Sequence, residues 1–106
     1  MTEPLVHPAA TAYRAHATVV TEAAARYAKQ LASHLGRKAE IRDEAEGSRV
    51  VLTVGSCLLV AGAHALQLRA ESGAADGLEW VQQVIGSHLE RFGQREGLTV
   101  AWSAGG

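Results

Sequence analysis

The chain has 106 residues, 47% of them hydrophobic and 20% charged, a length and balance that suit one soluble globular domain and leave no room for a second. A formal net charge of -1, with acids and bases interspersed, gives no field that would gather a polyanion, so neither nucleic acid nor a membrane surface is an expected partner. The single cysteine, Cys57, excludes an internal disulfide and any cysteine-based metal motif, and a cytoplasmic location is the default expectation.

In chain order, residues 1–10 lack a basic start and a long apolar core and carry Pro4 and Pro8. They read as a flexible N-terminal arm rather than a signal peptide, with His7 a solvated bystander. The domain is expected over 11–103 and a flexible, Gly-containing tail over 104–106. Residues 12–20, ending in Thr18, Val19 and Val20, favour a strand. Thr21 offers a cap for a helix over 22–35, in which Ala24, Tyr27, Ala28, Leu31 and Leu35 recur at three and four and Gly36 supplies the stop. Ala39 and Ile41 alternate with Lys38, Glu40 and Arg42 as a half-buried strand, and the acidic 43–47 segment turns the chain back. Three further strands are expected at 49–54, 57–61 and 64–70. The stretch 50–68 carries no formal charge and approaches the length of a membrane span, but Gly55, Ser56 and Gly62 cut it into strand-length pieces. Asp76 can cap a second helix whose stripe is Leu78, Val81, Ile85, Leu89 and Phe92, with Gly93 at its end. Leu98, Val100 and Trp102 alternate in a last short strand.

The order strand, helix, four strands, helix, strand predicts an α+β two-layer sandwich, an antiparallel sheet with two helices on one face. It resembles the plan of the TATA-binding-protein-like and helix-grip folds, and a fold alone names no function.

One repetition carries chemistry. Ser33-His34-Leu35-Gly36-Arg37 returns as Ser87-His88-Leu89-Glu90-Arg91, each time at the carboxyl end of a predicted helix. A neutral imidazole can ligate a metal or move a proton near pH 7. His34 falls at the edge of its apolar stripe, one heptad beyond Tyr27, and His88 holds the corresponding edge beside Val84 and Arg91. If the helices lie side by side, both rings face one groove flanked by Arg26, Tyr27, Arg91 and Arg95. Those six residues are the candidate ligand-binding set, with guanidinium as carboxylate clamp, and His34 and His88 are also the candidate metal ligands. The competing reading makes the histidines structural, bonded to backbone carbonyls near their helix ends.

Other chemistries find less support. There is no His-Glu-x-x-His, no histidine pair four apart and no Walker pattern; Ser33 and Ser87 lack a nucleophile-elbow glycine pattern, and Cys57 reads as a buried inert thiol. A non-catalytic role is favoured over an enzyme. Arg37, Lys38 and Arg42 read as a wet strand face. Trp80, off the main stripe of its helix, suggests a homodimer contact as the alternative to ligand binding.

Three blocks carry a family resemblance: Thr21 with Arg26-Tyr27, Gln30-Leu31, His34 and Lys38; His88-Leu89-Glu90-Arg91-Phe92 with Arg95-Glu96; and Leu98, Val100 and Trp102. Together they resemble DUF2218, a small bacterial family of unknown function, from about residue 12 to 102. The resemblance implies iron metabolism as a context, since members are often encoded near siderophore and iron-uptake genes, and so brings iron, zinc or haem into view as cofactors of the two histidines. Relatives often carry an aromatic after the first histidine and another histidine two residues on, where this chain has Leu35 and Arg37. The combined expectation is a small accessory protein that binds an iron-related or other anionic ligand between the two histidines.

Overall fold

A computed structural model describes residues 12–105, so the 1–10 arm lies outside the described residues. Eight principal elements follow in order: β1 (Tyr13–Val20), α1 (Ala24–Leu35), β2 (Glu40–Asp43), β3 (Ser48–Leu52), β4 (Gly55–Ala61), β5 (Ala65–Ser72), α2 (Ala75–Phe92) and β6 (Ser103–Ala104), with a 3-10 turn at Gln94–Glu96 before β6. The strands form one antiparallel sheet of order β2-β3-β4-β5-β1-β6. This is the expected α+β plan. The uncharged 50–68 stretch is sheet, and among the described residues no helix is long and apolar enough to cross a membrane.

Register sorts the side chains. The rows Ala15–Ala70–Cys57–Val50–Ile41 and Ala17–Leu68–Leu59 run across the sheet on one face, because directly paired residues in an antiparallel ladder point the same way. On that face they meet Tyr27 and Leu31 of α1 and Val81, Ile85 and Leu89 of α2, in a single core. Helix α1 packs over β3, β4 and β5, and α2 over β1, β4 and β5, with the helices also touching each other.

The opposite face carries Arg14, Arg49, Arg69 and Glu71, and its arginines are paired. Arg14 meets Glu71, Arg69 meets Glu46, and Arg49 bridges Glu44, Glu71 and the Ser56 hydroxyl. Leu58 is buried on this face although no helix covers it. Its register neighbours are Arg49 and Arg69, and the aliphatic part of an arginine can cover an apolar residue.

Four boundaries depart from the sequence reading. Helix α1 starts at Ala24 because the Thr21 hydroxyl accepts the Ala23 N–H at 3.1 Å and holds a turn before the helix instead of capping it. Helix α2 starts at Ala75, with Asp76 inside its first turn; the chain enters it through Ser72, whose Oγ accepts the Ala74 N–H at 3.2 Å. The predicted last strand at Leu98, Val100 and Trp102 is not a strand. Its apolar residues pack onto the core, the Val100 N–H is taken by the Glu90 carboxylate at 2.8 Å, and pairing with β1 begins only at Ser103. Ala104, expected in the tail, is therefore the end of β6, and just beyond it the Gly105 N–H donates to the Arg14 carbonyl at 2.7 Å. Gly86 makes the packing of that segment possible: a side chain there would press on the Trp102 indole, whose Nε1 lies 3.2 Å from where a Cβ would sit.

Candidate ligand-binding groove

Both predicted histidines arrive at one place. His34 sits in the last turn of α1 and His88 in the last third of α2, and the contact between the helices brings the ring centroids to 5.2 Å, with the planes tilted by 45°. Phe92, one turn beyond His88, stands edge-on to His34 at 5.4 Å and lies 6.4 Å from His88, so an apolar ring buttresses both imidazoles.

The two rings differ in their bonding. His88 Nδ1 lies 2.7 Å from the Val84 carbonyl. A carbonyl only accepts, so Nδ1 carries the proton, and in the neutral ring the lone pair resides on Nε2. This bond is the backbone interaction the structural alternative foresaw, and it occupies one nitrogen only. His34 has no hydrogen-bond partner among the described residues.

The histidines border a groove of about 750 Å³. Leu35, Ala39, Leu52 and Val84 supply its apolar wall, and Trp80 stands at one side with 53% of its surface exposed. Trp80, Val84 and His88 recur at intervals of four and so form one row along α2. Arg37 and Lys38, just past the end of α1, place two cations at the rim. Among the described residues neither makes an ion pair, in contrast to the paired arginines of the open sheet face. Glu40 also lines the groove, but its carboxylate is held by Arg42 at 2.7 Å, and that hydrogen bond and charge pull its pKa below the ordinary value. The net local charge is therefore positive.

The remaining candidates are elsewhere. Tyr27 is 3% exposed and belongs to the core, with the Arg26 guanidinium 4.7 Å from its ring centroid. Arg91 and Arg95 are exposed and do not line the groove. The physical reason is direction: the groove opens from His88 toward the start of α2, whereas Arg91 and Arg95 lie beyond its other end, and Tyr27 is about 10 Å back along α1. Arg37, Lys38, Leu52 and Trp80 were not in the predicted set. The helix stop at Gly36 was the available signal for the first two, and the spacing Trp80-Val84-His88 for the last. Among the described residues no three His, Cys, Asp or Glu side chains are grouped to hold a metal ion, so iron or zinc bound by this chain's side chains alone lacks a complete donor set.

Comparison with known proteins gives the family and a fold neighbour. Residues 16–103 match the model of a family described as uncharacterised protein conserved in bacteria, DUF2218. The chain belongs to the DUF2218 family. No curated protein matches it. Among solved structures, the NMR structure of PA4090 from Pseudomonas aeruginosa is similar, at 32% identity and a TM-score of 0.72, with 86% of this chain and 95% of that chain covered. The DUF2218 match spans both histidine motifs and all the groove residues named above.

Proposed function

We propose that this DUF2218 protein is a non-catalytic binding protein whose groove between His34 and His88 takes a small anionic ligand with an apolar body. The observation that carries this reading is the pair of cations, Arg37 and Lys38, which make no ion pair among the described residues, at the rim of a groove with an apolar wall and a half-exposed indole. Its volume of about 750 Å³ is within the range of roughly 300–1,000 Å³ usual for small-molecule sites. The imidazoles add two polar groups fixed by Phe92 and, for His88, by the Val84 carbonyl.

Naphthoate and decanoate serve as probes, one planar and one flexible, each with one carboxylate. Titration into labelled protein is expected to shift amide resonances around residues 34–40, 51–53, 80 and 88, and to change Trp80 fluorescence in a Trp102→Phe background. The Arg37→Ala, Lys38→Ala double variant is expected to bind about tenfold more weakly, the loss of roughly 1.4 kcal/mol. No saturable shift with either probe, or shifts confined to the open sheet face, rejects the reading.

A second reading rests on one patch. Trp80 and Val54, both among the exposed large apolar residues, line the same shallow depression at the start of α2, which fits a homodimer contact. Sedimentation of a monomer at micromolar concentration, unaltered by Trp80→Glu, rejects it.

A further inference from the structure

We infer that His34 and His88 are the protein's half of a divalent transition-metal site, completed by a metal ion that arrives already held by an anionic chelating ligand. The inference deepens the proposed groove reading by naming the ligand class.

Three observations carry it. The first is spacing. Two imidazoles each bonded through one nitrogen at about 2.0 Å to a common ion have their centroids roughly 4.5 Å apart at right-angle coordination and roughly 5 Å apart at tetrahedral coordination; the pair here stands at 5.2 Å. The second is the outer partner. Metal-bound histidines characteristically donate the other ring N–H to a carbonyl or carboxylate, which fixes the tautomer and makes the free nitrogen a better donor. His88 does this through Nδ1–H to the Val84 carbonyl at 2.7 Å, leaving Nε2 as its ligating atom, while among the described residues His34 keeps both nitrogens unbonded. Phe92 restrains both rings from the side.

The third observation decides how the site is completed. Among the described residues no third His, Cys, Asp or Glu joins the pair, so two or more coordination positions on an ion held here face the groove. That groove is large enough for a small molecule, and its two cations, Arg37 and Lys38, which make no ion pair among the described residues, would meet the negative charge of oxygen donors on the ion's far side. Imidazole nitrogen favours zinc, nickel and copper over magnesium or calcium. The cargo is thus a borderline transition ion on a carboxylate-type chelator, with open cis positions for two nitrogens.

Nickel nitrilotriacetate is a suitable probe, because the complex is anionic and leaves two cis positions free. Untagged full-length protein in a His7→Ala, His16→Ala, His64→Ala background retains only the two groove histidines. Calorimetry is expected to give one complex per chain, weakened at least tenfold by His34→Ala and by His88→Gln separately. The Arg37→Ala, Lys38→Ala variant is expected to weaken the chelate three- to tenfold but leave binding of nickel alone unchanged. Amide spectra of each variant confirm that it is folded. Binding unaffected by either histidine variant, or no binding of the chelate, overturns the inference. If naphthoate or decanoate still binds in an Arg37- and Lys38-dependent way under that outcome, the groove reading stands and only the metal is lost.

Discussion

Cys57 is fully enclosed between strand and helix, and burial pushes its thiol up to about 12. Two outcomes follow. At neutral pH the thiol is protonated and shielded, so labelling by a disulfide reagent is expected to proceed only at the rate of global opening, checked by comparing labelling with unfolding kinetics across denaturant. The second concerns pH. The folded-state value lies above the ordinary 9.0, so the contribution to stability is full below pH 9 and is lost as pH rises toward 12. Denaturation curves of Cys57→Ala are therefore expected to lose less stability than the parent between those values. Residue chemistry of this kind was legible, since an apolar run around a lone cysteine already means burial. The rim of the groove was less so. Helical phase brought His34 and His88 together correctly, but it says nothing about which way a cavity opens, so Tyr27, Arg26, Arg91 and Arg95 were grouped with them while Arg37 and Lys38 were read as a wet strand face.

At the level of elements, Ser72 has the greatest leverage for its size. Buried at the end of β5, its hydroxyl donates to the Val54 carbonyl at 2.5 Å and accepts the Ala74 N–H, tying the turn between β3 and β4 to the entry of α2. Ser72→Ala leaves the Val54 carbonyl and the Ala74 N–H without that partner and is expected to cost about 2 kcal/mol, measured by urea unfolding, with local amide exchange rising at residues 53–55 and 74–77. Thr21 plays a similar part at the other end, accepting from Ala23 and donating to Glu96 at 3.2 Å. These hydroxyls explain why both helix starts were misplaced. A Thr or Asp before an apolar stripe looks the same in sequence whether it caps a helix or closes the turn ahead of it, and the choice is made by the distant partner. The stripes themselves, and the stops at Gly36 and Gly93, depend only on local spacing and were readable.

Across the whole molecule, the acid response gathers on exposed carboxylates held by arginines away from the helix-covered face. Glu44 is held below its ordinary 4.5 chiefly by its hydrogen bond to Arg49, and Glu40 by Arg42. Both carboxylates therefore favour the folded state above pH 4.5, and that contribution is lost as pH falls through their lower folded-state values. Because both are exposed and screened, the effect is small and salt-dependent. Glu44→Gln is expected to flatten the acid limb below pH 4.5 at low ionic strength and to behave like the parent in molar salt, as thermal unfolding would record. Antiparallel order and helix count followed from the sequence of elements, whereas the position of β1 inside the sheet did not, because no local pattern states which strand a terminal segment will join.

That position governs how the molecule is assembled in time. Strands β2 to β5 form a meander in which each pairs with its neighbour in sequence, but β1 must wait for β5, Tyr13 lying opposite Ser72, and β6 can attach only to β1. A chain emerging from the ribosome thus carries β1 unpaired until β5 has been made, with the alternating Ala15, Ala17 and Val19 uncovered meanwhile. Long-range closure of this type is the slow event in folding. Only once β1 is in place can Ser103 and Ala104 clasp its outer edge, with the Gly105 N–H donating to the Arg14 carbonyl beside them.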